Sequence, residues 1–128
     1  MSTLQVGTIK SANSAAPVFQ NSSGTEKGQL IKAWIQLNGT GTISITNSFN
    51  VSSIADTGTG RYTINFTNSF SNANYCMAGS HEAFSDGVCV VGENALVGFS
   101  TSAAGIQTTV YNALADPNRV RVIFIGDN

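Results

Sequence analysis

Residues 30–67, LIKAWIQLNGTGTISITNSFNVSSIADTGTGRYTINFT, alternate apolar and polar side chains almost without a break. Successive side chains of a β-strand point to opposite faces, so a period of two predicts strands and not helices. In residues 61–67, for example, Tyr62, Ile64 and Phe66 share one face while polar side chains occupy the other. The stretch therefore predicts strands with one face against a core and the other toward solvent.

Turn residues divide the chain into strands. Residues 38–41, NGTG, and residues 56–60, DTGTG, contain asparagine, aspartate and glycine, which form tight turns because they tolerate positive φ. The second turn gives the clearest hairpin, and a bend is predicted at residues 47–48. We predict strands at residues 30–37, 42–46, 49–54, 61–67, 75–79, 88–91, 96–101, 106–111 and 119–125. No helix is indicated.

Two of these predictions concern the neighbours of a strand. Residues 75–79 and 88–91 are predicted to pair as a hairpin through the loop between them. The last strand is apolar on both faces except at its start, with Val120, Val122 and Phe124 on one of them. We therefore place it centrally in a sheet or at a subunit interface.

The number and spacing of the strands indicate the fold. Roughly eight to ten short strands separated by turns are typical of a β-sandwich or a barrel. We predict an all-β fold, an antiparallel, jelly-roll-like β-sandwich formed by residues 29–128. A chain of 128 residues is expected to form one domain with a substantial core.

Residues 1–28 differ from the rest because they contain many small residues and little periodicity. We predict an extended N-terminal arm that attaches to a partner or exchanges between subunits. Its bulky apolar side chains are the candidate attachment residues Leu4, Val6, Ile9, Val18 and Phe19. In a solitary monomer such an arm buries little surface, and a frayed terminus is the alternative interpretation.

The composition points away from several classes of partner. Only 10% of the residues are charged, against roughly 25% in typical soluble domains, while Ser, Thr, Asn and Gly make up 54 of the 128 residues. The net charge is −1 and there is no basic block, so we expect no nucleic-acid partner. No signal peptide and no apolar run of about 20 residues is present, so we expect no membrane insertion and synthesis as a soluble cytosolic product.

Few residues offer chemistry. His81, Glu82, Asp86 and Glu93 lie in and just after one predicted loop, and we expect a solvated loop there because the ligand pattern of zinc and calcium sites is missing. The single histidine and the absence of a G-x-S-x-G elbow argue against nucleophilic catalysis. We expect no cofactor, no metal and no enzymatic activity. A carboxylate pair for glycoside hydrolysis is the alternative, because sequence does not set the separation of the acids.

The cysteines and aromatic residues have structural interpretations. Cys76 and Cys89 are expected to be reduced thiols, and a cross-strand disulfide is the alternative if the loop between their strands forms a hairpin. The aromatic side chains that could form a sugar-stacking platform are Trp34, Tyr62, Tyr75 and Tyr111. Because all four lie at periodic strand positions, we expect core or interface packing instead.

The run KAWIQLNGTGTISITNSFNVSSIADTGTGRYTINFTNSFSNANYCMAG, residues 32–79, resembles a motif of virion proteins from tailed bacteriophages that infect aquatic bacteria. The shared pattern is a K-A-W strand, an N-G-T-G turn, S-F-N-V-S-S-I, a D-x-G-T-G turn, Y-T-x-N-F and an A-N-Y segment. Residues 8–24, TIKSANSAAPVFQNSSG, resemble the short lead-in of the same module. The family is described as tail-fibre or tail-fibre-like, and the resemblance implies a β-rich, trimeric, non-enzymatic virion component without catalytic residues.

This resemblance defines the expected role. We expect a tail-fibre or tail-appendage tip that is made in the host cytoplasm, resides in the virion as a homotrimer with other virion proteins, and contacts a host-surface glycan or protein. A long fibre has an anchoring domain and a shaft, whereas only a short arm precedes the module here. A capsid decoration or cement protein that stabilises the shell is therefore the alternative.

Loops on a rigid scaffold are where recognition usually resides. We expect the loops at residues 56–60, 80–87 and 116–118 to face outward. The candidate recognition residues in and beside them are Asp56, Thr57, Thr59, Arg61, His81, Glu82, Phe84, Asp86, Asp116 and Asn118.

Overall fold

The computed structural model of the chain describes residues 4–10, 19–28, 30–82 and 89–126. Within these ranges the chain forms β-strands and no helix, which confirms the all-β prediction. The strands are β1 (Phe19–Gln20), β2 (Glu26–Gly28), β3 (Ile31–Asn38), β4 (Ser44–Phe49), β5 (Val51–Gly58), β6 (Arg61–Phe66), β7 (Cys76–His81), β8 (Cys89–Glu93), β9 (Ala103–Val110), β10 (Ala113–Leu114) and β11 (Val120–Ile125).

Nine of the described strands form two antiparallel sheets. Sheet 1 has the order β4-β3-β11-β7. Sheet 2 has the order β5-β6-β9-β8, and the short β10 also pairs with β9. The predicted antiparallel β-sandwich is confirmed, and β11 is central in sheet 1 as expected. The remaining strands, β1 and β2, pair with each other as a separate ribbon.

The core lies between the sheets and is built by alternate residues of the central strands. Sheet 1 contributes every second residue of β3 and β11, and sheet 2 contributes every second residue of β6 and β9. The fully or nearly fully buried side chains of these strands are Ala33, Ile35, Leu37, Tyr62, Ile64, Phe66, Ala104, Ile106, Thr108, Val120, Val122 and Phe124. The face predicted for β6 and the face predicted for β11 are therefore correct.

One end of the core is aromatic. Tyr75 stacks on Phe70, with ring centroids 4.2 Å apart, and on Phe99, with centroids 4.8 Å apart. Phe66 meets Phe124 edge to face at 5.2 Å. Rings in these arrangements contribute roughly 0.5–1.5 kcal/mol per pair beyond the area they bury.

The chain passes from sheet 1 to sheet 2 at Asn50, and not at the bend predicted for residues 47–48. Strand β4 continues to Phe49, and Asn50 has a φ of 57°, which asparagine adopts more readily than most residues. Its side chain accepts a hydrogen bond from Asn68 N at 2.7 Å and donates one to Asn68 O at 3.0 Å. These two bonds hold the corner.

Strands β7 and β8 do not form the predicted hairpin, because each pairs with a strand of a different sheet. β7 pairs with β11 in sheet 1, and β8 pairs with β9 in sheet 2. Cys76 therefore lies opposite Ile125 and Cys89 opposite Val110, so the register considered for a disulfide does not occur. The two strands instead meet where the sheet edges approach. A Cβ atom on Gly79 of β7 would stand 3.2 Å from the Cβ atom of Val91 on β8.

The strand predicted at residues 96–101 is also wrong, as is the break predicted before residue 106. Asn94 O accepts hydrogen bonds from Val97 N and from Gly98 N, which makes a tight turn there. Strand β9 begins at Ala103 and runs through Gly105. A Cβ atom at Gly105 would lie 2.5 Å from Val97 Cβ, so this glycine permits close packing within a strand and does not end one.

Candidate functional site

Two of the loops predicted to carry recognition meet at one end of the sandwich. Gly60 N, in the turn between β5 and β6, donates a 2.6 Å hydrogen bond to Asp116 Oδ1. Asn118 Oδ1 accepts a 2.9 Å hydrogen bond from Thr40 Oγ1, in the turn between β3 and β4. We call this end, formed by residues 38–41, 56–60, 81–82 and 115–119, the loop end.

Several candidate side chains at the loop end maintain the turns themselves. Asp56 Oδ1 accepts from Gly58 N at 2.9 Å, and Thr57 Oγ1 donates to Arg61 O at 3.1 Å. These hydrogen bonds stabilise the hairpin, although both residues are exposed. Thr59 is exposed, while the Arg61 side chain is half-buried and its Nε atom lacks a hydrogen-bond acceptor among the described residues.

Asp116 is the main connector of the loop end. Its Oδ1 atom accepts the Gly60 bond and also a 2.9 Å bond from the hydroxyl of Tyr62, which is fully buried. Burial raises the pKa of Tyr62, and the hydrogen bond to Asp116 and the charge of Asp116 raise it further. The carboxylate therefore supports the fold as an acceptor for two groups that water does not reach.

His81 is a structural residue and not the solvated loop residue that we expected. Its side chain is 8% exposed. Nδ1 lies 2.9 Å from Glu82 O and Nε2 lies 2.9 Å from Thr109 O, so the ring connects the end of β7 in sheet 1 to β9 in sheet 2. Glu82 itself is exposed and forms a 4.0 Å ion pair with Arg119.

The titratable residues considered for a cation lie apart in the fold. Glu93 ends β8 in sheet 2, whereas His81 ends β7 in sheet 1. Phe84 and Asp86 lie outside the described residues. Within the ranges that are described, no three His, Cys, Asp or Glu side chains come close enough together to hold a metal ion.

The predicted attachment arm presents apolar side chains to solvent over its described part. Leu4 is 82% exposed, Val6 50% and Ile9 63%, and Phe19 at the start of the ribbon is 47% exposed. Val18 lies outside the described residues. The described arm therefore offers bulky apolar groups that this single chain leaves uncovered.

The four aromatic residues do not form one platform. Tyr62 and Tyr75 are buried in the core as expected, whereas Tyr111 is 61% exposed in a turn with positive φ. Trp34 lies on the solvent side of sheet 1, where it is half-buried. Its neighbours there define the second candidate site.

The solvent side of sheet 1, which we call the outer face, carries two parallel rows of side chains. The register of β4, β3, β11 and β7 aligns the outward residues across all four strands. An apolar row consists of Phe49, Trp34, Ile123 and Ala78. A polar row, two residues further along each strand, consists of Asn47, Gln36, Arg121 and Ser80.

A groove of about 530 Å³ follows these rows over β3, β11 and β7. Strand β7 contributes the small residues 78–80, strand β3 contributes Trp34 and Gln36, and the central strand β11 contributes Arg121. This volume lies within the range of roughly 300–1,000 Å³ that is typical of small-ligand sites. The contrast in side-chain size between neighbouring strands therefore produces the depression.

The groove side chains are available for a ligand. The ion pair recorded among the described residues joins Arg119 and Glu82, and Arg121 takes no part in it. Within the same part of the chain, the Trp34 ring stacks on no other ring.

Comparison of the chain with family models, curated proteins and solved structures finds no match in any of the three. The site is therefore interpreted from its own residues. The described residues contain no helix that is long and apolar enough to cross a membrane.

Sequence reasoning singled out the loop end and missed the groove. Alternation had already placed Trp34 and Arg121 opposite the core side chains of their strands. What was missing was the strand order, since β3 and β11 are distant in the chain and adjacent in the sheet. The sequence of each strand therefore indicated which side chains point outward, but not which strands bring them together.

Proposed function

We propose that this chain is a non-enzymatic structural protein of a bacteriophage virion, located at a tail-fibre or tail-appendage tip, where it contributes to recognition of the host surface. It acts as a homotrimer. The N-terminal arm attaches each subunit to a neighbour, and the outer face of sheet 1 contacts the host.

The observation that carries this proposal is the uncovered outer face. Phe49 is 55% exposed and Ile125 36% exposed on a surface of four paired strands. Exposed apolar patches on soluble proteins commonly mark interaction sites. A rigid sheet also holds its side chains in fixed positions, which favours selective contacts over adaptable ones.

The arm supports the attachment part of the proposal. Exposed side chains at Leu4, Val6 and Ile9 are costly for an isolated chain and are stabilised when a neighbour covers them. Symmetric assembly would also cover sheet edges, which otherwise template aggregation. The resemblance of residues 32–79 to a motif of tail-fibre-like proteins also supports a location at the phage tail.

The test combines mass and binding on one sample. We expect light scattering to give the mass of a trimer, and we expect the purified protein to be retained by isolated host envelope and not by empty capsids. A monomer that binds only capsids would instead support a decoration protein and contradict the proposal.

A deletion variant tests the arm separately. Removal of residues 2–28 should abolish both the trimer and incorporation into particles, because the attachment side chains are lost, while residues 29–128 remain folded by circular dichroism. Full incorporation of the deletion variant would contradict the attachment role. A matched control is Gln5→Ala, which changes an exposed polar residue of the arm and should leave incorporation unchanged.

A further inference from the structure

We propose that the groove on the outer face binds an acidic saccharide, a sugar unit that carries a carboxylate. The apolar row and the polar row of the groove provide the two kinds of contact that such a ligand needs. This inference rests on the proposed role in surface recognition, because it names the chemical class of what the outer face recognises.

The apolar row suits the flat C–H face of a sugar ring. Trp34 offers an indole surface that is half-exposed and stacks on no other ring of the described chain. Ile123 lies directly opposite Trp34 in the β3–β11 register, and Ala78 lies opposite Ile123 on β7. The small Ala78 side chain leaves the space into which a ring can settle.

The polar row suits the hydroxyl groups of the same ring. Gln36 lies opposite Arg121, and Arg121 lies opposite Ser80, so an amide, a guanidinium and a hydroxyl are aligned. Two residues along a strand correspond to about 7 Å, so one ligand reaches both rows at once. Donors and acceptors that meet no partner within the described chain keep their full hydrogen-bonding capacity for a ligand.

Arg121 determines the sign of the ligand charge. Its guanidinium is exposed, and no acidic side chain occupies either row. Glu82, at the end of β7, is already paired with Arg119. The planar fork of arginine matches a carboxylate through two parallel hydrogen bonds, so a uronic-acid type of sugar fits this groove better than a neutral sugar.

The experiment uses the single tryptophan of the chain as its reporter. Trp34 fluorescence is followed while the full-length protein is titrated with trigalacturonic acid and, separately, with a neutral galactose trisaccharide. We expect a saturable change with the acidic ligand and at least tenfold weaker binding of the neutral one. Equal affinity for the two ligands, or no change with either at millimolar concentration, would overturn the proposal.

Variants connect the signal to the groove. Arg121→Gln should weaken binding of the acidic ligand at least tenfold and weaken binding of the neutral ligand much less, because glutamine keeps a hydrogen-bond donor for hydroxyl groups and loses the charge contact. Arg119→Gln is the matched control, since this arginine lies two residues earlier and is paired with Glu82. Trp34→Ala, measured by calorimetry, should weaken both ligands. An equal loss in both arginine variants would contradict the assignment.

The same variants separate this inference from the proposed function. If the Trp34→Ala and Arg121→Gln proteins still bind host envelope like the wild type, the recognition role stands and the groove assignment fails. If the wild-type protein does not bind envelope at all, the proposed function fails, whatever the saccharide titration shows. A loss of the oligomer in Arg121→Gln would mean that a second copy occupies the groove, which would overturn the saccharide assignment.

Discussion

Replacement of Asp116 by alanine should strongly destabilise the sandwich. One oxygen atom, Asp116 Oδ1, accepts from Gly60 N at 2.6 Å and from Tyr62 Oη at 2.9 Å. Alanine removes both bonds and leaves the hydroxyl of a fully buried tyrosine without this acceptor. Asparagine keeps an oxygen at the same place and loses only the charge.

The expected magnitude follows from these two contacts. A hydrogen bond to a charged group contributes roughly 1.5–3 kcal/mol, so we expect Asp116→Ala to lower the free energy of unfolding by about 3–5 kcal/mol. Asp116→Asn should cost about 1–2 kcal/mol, because one neutral acceptor remains. Tyr62→Phe should cost about 1–2 kcal/mol, because Asp116 keeps its bond to Gly60.

A double-mutant cycle of Asp116→Ala and Tyr62→Phe isolates the contact between the two side chains. Urea unfolding, followed by the fluorescence of Trp34, gives the free energy of unfolding of each variant. We expect a coupling of about 1–2 kcal/mol, because the two single variants both remove the same bond. A coupling near zero, or a cost below about 1 kcal/mol for Asp116→Ala, would refute the role of Asp116 as the connector of the loop end.

Three further predictions concern the same unfolding assay. Gly60→Ala should lower the free energy of unfolding by several kcal/mol, because the added Cβ atom would lie 2.7 Å from Thr108 O at a φ of 63°. Gly41→Ala is the control, with the same φ and open space around it, and should lower the free energy of unfolding by roughly 1–2 kcal/mol. Equal costs in the two variants would contradict the close approach at Gly60. Burial raises the pKa of Tyr75 to about 12, so the folded state favours the neutral tyrosine. About 2–3 kcal/mol of stability that is present below pH 10 should therefore be lost as the pH rises toward 12, and Tyr75→Phe should reduce this alkaline loss. The same pH dependence in the wild type and the Tyr75→Phe protein would contradict this role of Tyr75. His81→Phe should cost roughly 1–2 kcal/mol, because phenylalanine removes the ring N–H that the carbonyl oxygen of Glu82 or of Thr109, each 2.9 Å from a ring nitrogen, accepts; a cost below about 0.5 kcal/mol would show that the ring does not connect the sheets.

The fold was predictable where the information is local to one strand. Alternation along β6 and β11 identified their buried faces, because the two-residue period is visible within the six residues of each strand. The hairpin of β5 and β6 was predictable for the same reason, since its turn residues lie between the two strands. Local chemistry is sufficient for such elements.

Pairing between distant strands was not predictable in this way. β7 and β8 are neighbours in sequence, but β11 and β9 are their partners, and nothing within either strand specifies that choice. Gly105 suggested a turn in the sequence, but it lies inside β9. A glycine is required there because Val97 packs closely against it, and this contact exists only in the folded chain. Both errors have one cause, which is that tertiary neighbours override the local signal.

The groove shows the same limit at the level of function. The outward direction of Trp34 follows from alternation, and so does that of Arg121. Their meeting depends on the register between β3 and β11, in which Ile123 faces Trp34 and Gln36 faces Arg121. A site whose residues come from three strands therefore becomes visible only with the sheet order.

The measurement that tests the central claim most directly is competition for host adsorption. Purified protein is added to phage particles that carry it and to the bacterium that they infect, and the rate of adsorption is followed. If the groove on the outer face recognises the host, the wild-type protein should slow adsorption, and the Trp34→Ala protein, folded to the same extent, should not. Equal inhibition by both proteins would contradict a recognition role for the groove of the outer face.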